Sequence, residues 1–186
     1  MANIKEALPK LFEVEFSNLP QRFLHKNKTE NYLTLGGISQ KANPYNIEWN
    51  FIERILKVCD NQITRASNML FCDDRIREQI EVEYANAYWN RLNLDKIDSQ
   101  LIANEIFLMS VVSGVRNGGK LAQKIAGVKE DGIIGNISIA AINKISSKRF
   151  SLEYDNLEKA HFQRLVNNNQ KLEIYLSGWI NRAEFI

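Results

Sequence analysis

One segment sets the terms for the fold. Leu101, Ile102, Ile106, Met109 and Val112 recur at helical spacing, and the stretch from Ser99 to Gly114 is apolar on most sides of that helix. A helix that is apolar all round must be buried, so this one is expected at the centre of the protein. Asp98 or Ser99 stands where an N-cap is needed. A chain of 186 residues can build one sizeable core, or a core with a small appended lobe. Nine glycines and three prolines are few for that length, which disfavours a many-turned β-sandwich and favours long helices.

Around the central helix the periodicity predicts others. Residues 3–17 form an amphipathic helix in which Ile4, Leu8, Leu11 and Glu15 share one stripe, flanked by Ala7 and Phe12. Pro9 falls inside it, so a kink or a late start is expected. Residues 18–45 are irregular and rich in Asn, Gly, Pro and Thr, with a short hairpin arm possible where Tyr32–Leu35 runs into Gly36-Gly37. Trp49, Ile52, Ile55 and Leu56 mark a further helix. Asp73 or Asp74 caps another that carries Ile76, Ile80, Tyr84 and Tyr88. Residues 117–146 give a short helix, a turn at Glu130-Asp131-Gly132, and a second short helix from about Ile137. Residues 152–178 give a long final helix ending at Gly178.

Charge and cysteine usage exclude some functions. The net charge of +2 is too small to demand nucleic acid as a partner. Cys59 and Cys72 form no CxxC pair and no Cys/His cluster, so no metal site and no cofactor is expected, only two free thiols. The first residues mix Glu and Lys and lack the apolar run of a signal peptide, and no run approaches the ~20 apolar residues of a membrane span. A protein made in the cytoplasm, without stable membrane insertion, is expected.

The residue with the clearest chemical signature is Glu15. A carboxyl on an apolar stripe loses hydration, which favours its protonated form, and such an acid can protonate a leaving oxygen. Glycosidic cleavage needs a second carboxylate, for which Glu30 is the candidate, and the Thr34 hydroxyl four residues on can hold a water. His25 is a candidate for binding substrate or bracing a carboxylate. Tyr32, Tyr88 and Trp89 are candidates for stacking on sugar faces, although most aromatic residues of a helical protein belong to its core. Gly36-Gly37 and Gly118-Gly119 lack the lysine and hydroxyl residue of a phosphate-binding loop.

Several segments in order resemble the glycoside hydrolase family 108 muramidases, which carry a C-terminal peptidoglycan-binding-like region. Thr34-Leu35-Gly36-Gly37-Ile38-Ser39 is similar to the family's Thr-x-x-Gly-Ile-Thr, and Tyr88-Trp89 to its Tyr-Trp helix. Gln123 to Val128 followed by Asp131-Gly132-Ile133-Ile134-Gly135 resembles its Asp-Gly-x-x-Gly turn, and Gly178-Trp179-Ile180-Asn181-Arg182 its Gly-Trp-Leu-Asn-Arg close. The resemblance implies a mainly α, lysozyme-like fold with a small hairpin or loop arm and a C-terminal helical lobe. It implies a lysozyme-like catalytic region over 1–115 and a peptidoglycan-binding-like region over 116–186, packed as one unit.

The resemblance further implies a hydrolase that cleaves peptidoglycan between N-acetylmuramic acid and N-acetylglucosamine. Glu15 would be its general acid, assisted by Glu30 and Thr34. Such an enzyme would act on periplasmic glycan strands after release, with a holin or another export factor as carrier. The sequence also departs from the family. Val14-Glu15-Phe16-Ser17 stands where the family has Glu-Gly-Gly-Tyr, and Leu108 and Ser113 replace an Asp and an Asn of the central helix. An alternative is therefore an inactive wall-binding or secretion-assembly protein on the same scaffold. A helical nucleic-acid or regulatory module would need a basic stripe, and the Lys and Arg residues are scattered.

Overall fold

The computed structural model describes residues 1–26 and 31–185. The fold is mainly α, with nine α-helices among the described residues and one small sheet. By their internal contacts the residues group into two compact units, Met1–Ala7 with Asn86–Ile186, and Leu8–Ala85.

The second of these units opens with most of α1 (Ile4–Phe16). Leu8 and Leu11 are buried while Glu13 is exposed, as the stripe requires. The helix begins ahead of Pro9, so the late start does not occur; the ring is accommodated inside the helix. The segment predicted as irregular with a hairpin arm folds into an antiparallel sheet of three strands, β1 (Leu24–Lys26), β2 (Leu33–Leu35) and β3 (Ile38–Ser39), in that order. Strand β1 was not legible beforehand, because three residues are too few to show an alternation. The remaining helices are α2 (Trp49–Val58), α3 (Ile63–Phe71) and α4 (Asp74–Tyr84). Asp73 caps α4 by accepting from the Ile76 N–H at 3.2 Å. Helix α3, absent from the sequence-based expectation, is tied to the sheet by Ser67. That hydroxyl accepts from the Leu24 N–H at 2.8 Å and donates to the Pro20 carbonyl at 2.5 Å. Phe16, Phe23 and Phe71 meet edge-on at 5.5–6.4 Å between ring centres. Such tilted aromatic contacts fill a core with favourable ring electrostatics.

The other unit is built on α5 (Gln100–Ser113), in which every residue from Ile102 to Ser110 is buried. Ser99 supplies the expected cap, accepting from the Ile102 N–H at 3.4 Å. Helix α6 (Val115–Ile125) runs so close to α5 that a side chain at Gly118 would begin 2.0 Å from the Ser110 hydroxyl. Glycine there is what allows the two backbones to approach. The predicted turn and short helix follow, with α7 at Asn136–Ile142. The long final helix is instead two, α8 (Ser147–Asn168) and α9 (Glu173–Ala183), and Gly178 lies inside the second. The break falls on the asparagine run. Asn169 leaves the helical region and its side chain accepts from the Lys171 N–H at 3.2 Å, a local alternative to helix hydrogen bonding. Both cysteines are free, Cys59 buried and Cys72 exposed. No helix among the described residues is long and apolar enough to cross a membrane.

Candidate functional site

Glu15 is the last but one residue of α1 and is half-buried. What lies beside it is the two-residue turn between β2 and β3. Gly36 and Gly37 both have positive φ, +53° and +87°, the combination that matches the twist of a tight antiparallel hairpin. A Cβ on Gly37 would sit 3.3 Å from Glu15 Oε2 and 2.5 Å from Tyr84 Oη. The missing side chain is thus the room in which the acid and the phenol approach the turn. Tyr84, buried near the end of α4, donates from its hydroxyl to the Gly36 carbonyl at 2.9 Å and so fixes the turn from below.

The sheet organises two of the other candidates. Thr34 pairs with His25 on β1 and with Ser39 on β3. Directly opposed residues share a face of an antiparallel sheet, so His25, Thr34 and Ser39 form one polar row. Leu24, Leu35 and Ile38 form the buried row on the other face. His25 Nδ1 lies 3.3 Å from the Arg22 carbonyl. Tyr32, just before β2, is 43% exposed, with the Lys41 ammonium 5.7 Å from its ring centre. Glu30 lies outside the described residues. Unit Leu8–Ala85 therefore holds Glu15, His25, Tyr32 and Thr34, and adds Tyr84, which the sequence presents only as one more apolar position of its helix.

Tyr88 and Trp89 belong to the other unit. Trp89 is 3% exposed and packs edge-on against Phe107 at 5.6 Å, so the expectation that it stacks on a sugar is corrected: its ring is core. Tyr88, half-buried, also meets Phe107, at 6.5 Å.

The same unit holds ionisable groups that sequence reasoning passed over. Glu105 of α5 and Glu158 of α8 are 1% and 5% exposed and line one small cavity of about 10 Å³ together with Arg182. Burial pushes the Glu105 carboxyl up to about 7, against a lowering hydrogen bond from Ser151 at 2.5 Å. Burial and then the neighbouring charges of Glu105 and Asp155 push Glu158 up to about 9, against the pull of Arg182 and Lys159. The visible signal was an acidic residue in the middle of a helix apolar on most sides. Ser113 and His161 also meet, Oγ to Nε2 at 2.7 Å. Arg164 stands 3.1 Å from His161 Nδ1, and a guanidinium only donates, so Nδ1 accepts and the ring proton sits on Nε2, facing Ser113. Burial and then the Arg164 charge push His161 down, which keeps the ring neutral. A ring in that tautomer cannot take the serine proton, so the pair is no nucleophile and base. Among the described residues no group of three His, Cys, Asp or Glu side chains is placed to hold a metal ion.

Between α6 and α7 a tight turn is held by one side chain. Buried Gln123 donates from Nε2 to Asp131 Oδ1 at 2.9 Å, the Ile133 carbonyl at 3.0 Å and Ser138 Oγ at 3.1 Å, and accepts from the Gly132 N–H at 2.7 Å. Asp131 is held below the usual carboxylate range by the Gln123 hydrogen bond and then by the Ile133 N–H. The Asp-Gly-x-x-Gly segment is therefore a structural turn that carries exposed Ile133, with exposed Ile137 just after it in α7.

Residues 117–184, the stretch containing this turn, match the family model of a predicted peptidoglycan domain. That stretch is similar to a peptidoglycan domain. Among solved structures, SagA of Brucella abortus is similar, with a TM-score of 0.63 and 18% identity over 97% of this chain and 88% of that chain. At that identity the likeness shows the fold. No curated protein matches the sequence.

Proposed function

We propose that the protein is a peptidoglycan hydrolase that cleaves between N-acetylmuramic acid and N-acetylglucosamine, with Glu15 as general acid. The observation that carries this reading is the half-buried Glu15 carboxyl set against the Gly36-Gly37 turn that Tyr84 anchors. A carboxyl held by a rigid wall at the end of a helix can keep one orientation toward a glycosidic oxygen. The peptidoglycan-domain match over 117–184 supports the substrate class. Glu15 protonates the leaving oxygen, Glu30 orients a water or stabilises the oxocarbenium-like transition state, and Thr34 assists. His25 and Tyr32 contact the glycan from the sheet. The substrate is periplasmic, and a holin or another export factor brings the protein to it.

The test is digestion of purified peptidoglycan by wild type and Glu15→Gln side by side, with mass spectrometry of the soluble products. Fragments with reducing N-acetylmuramic acid ends, made by the wild type alone, are expected. Equal cleavage by Glu15→Gln would remove Glu15 from the mechanism. One observation favours a second reading, an inactive wall-binding protein: Val14-Glu15-Phe16-Ser17 replaces the family's Glu-Gly-Gly-Tyr. On that reading both proteins leave the glycan intact and both still sediment with it.

A further inference from the structure

The unit Leu8–Ala85 carries an open groove of about 340 Å³ along the segment that leads into α2, lined by Pro44, Tyr45, Glu48, Asn50, Phe51 and Arg54 among others. Its size falls in the range of small-ligand sites, about 300–1,000 Å³. Tyr45 is 93% exposed, so its ring stands in water at the edge of the groove with both faces bare of core packing. A planar apolar face with a hydroxyl at its tip suits a partner that is apolar on one side and polar at its rim.

The charges of the groove do not cancel. Glu48 is paired with Arg75 at 3.4 Å, and Arg75 lies over the Phe51 ring at 4.2 Å from its centre. Arg54 also approaches Phe51, at 6.0 Å, but is exposed and makes no ion pair with any described residue. The carboxylate of the groove is therefore met within the protein, and one guanidinium is left over. A guanidinium backed by an aromatic ring is a good seat for a carboxylate, which it meets with two parallel hydrogen bonds. Asn50 adds an exposed amide that both donates and accepts, the complement of an acetamido group or a hydroxyl.

We infer that this groove binds an acidic N-acetylated sugar ring, a hexosamine that carries a carboxylate, with the ring on Tyr45 and the carboxylate on Arg54. The inference rests on the wall-glycan reading above for its ligand class and adds a seat that selects the acidic sugar over its neutral neighbour. It is independent of Glu15 being the acid.

The experiment measures binding rather than cleavage. Glu15→Gln protein is titrated by calorimetry with short peptidoglycan strands stripped of their peptides, whose lactyl carboxylates are free, and with neutral N-acetylglucosamine oligomers of equal length. The same titrations are run with Arg54→Gln and Tyr45→Ala added singly. Both side chains are exposed, and a thermal melt of each variant checks that the fold is kept. Arg54→Gln is expected to weaken the acidic strands about tenfold, the loss of one charge-assisted contact, and to leave the neutral oligomers unchanged. Tyr45→Ala is expected to weaken both. Parent affinity in both variants overturns the groove alone. Equal loss for acidic and neutral sugars on Arg54→Gln overturns the selectivity. A background protein that binds neither glycan overturns the wall-glycan reading and the groove together.

Discussion

Gly37 meets two demands that no other residue meets. Its φ of +87° is strained for any residue with a side chain, and the side chain would collide with the Tyr84 hydroxyl and crowd Glu15. Gly37→Ala is therefore expected to cost about 2–4 kcal/mol, the sum of left-handed strain and overpacking, seen as a lowered denaturation midpoint at unchanged m-value. An unchanged midpoint would mean that the turn yields freely and is no wall. Glu15 itself was legible as a carboxyl on an apolar stripe, because helical periodicity places it. Its neighbours were not: nothing in the spacing of Glu15, Gly37 and Tyr84 says that they meet, since the sheet and α4 bring them together. Trp89 shows the opposite limit. A tryptophan reads the same in sequence whether it faces sugar or core, and only its packing on Phe107 decides.

At the scale of elements, capping and periodicity carried most of the information. Asp73 and Ser99 cap α4 and α5 as expected, and the turn after α6 falls where Asp131-Gly132 put it. What holds that turn is Gln123, a residue with no special mark in the sequence. Gln123→Ala removes the acceptor of the Gly132 N–H and the donor shared by Asp131, Ile133 and Ser138. Buried polar groups left without partners cost about 1–3 kcal/mol each, reduced where water enters, so a loss of about 2–4 kcal/mol is expected. Faster amide exchange confined to 129–138 would locate the damage in the turn, and unaltered exchange there would show that Gln123 does not hold it. The long helix expected over 152–178 is divided for a physical reason. Apolar residues resume at Leu172 after Asn167-Asn168-Asn169, and α8 ends where Asn169 takes an extended backbone and its side chain accepts from the Lys171 N–H.

For the whole molecule, the buried carboxyls make stability depend on pH. Glu158 is raised to about 9 and Glu105 to about 7 in the folded protein, from 4.5. The folded state then binds more protons than the unfolded chain above pH 4.5, so their contribution is complete below that pH and is lost as pH rises through about 7 and about 9. The slope is at most about 1.4 kcal/mol per pH unit for each such group, and each kcal/mol lowers Tm by roughly 2–4 °C in a chain of this size. Tm is expected to fall between pH 6 and pH 9, and Glu158→Gln to flatten that fall; a parent Tm constant over the range would show that Glu158 ionises as an exposed carboxyl does. The sequence by itself determined the helical class, the buried centre at α5, the tight turns and the stripe that presents Glu15, because periodicity, capping and glycine conformation are local properties. Only the tertiary structure decided that Tyr84 and Gly37 frame Glu15, that Trp89 is core, that Arg54 has no ion-pair partner among the described residues, and that Glu105 and Glu158 share one cavity. Each of those depends on which elements pack together, and packing between residues distant in the chain leaves no period for a sequence to display.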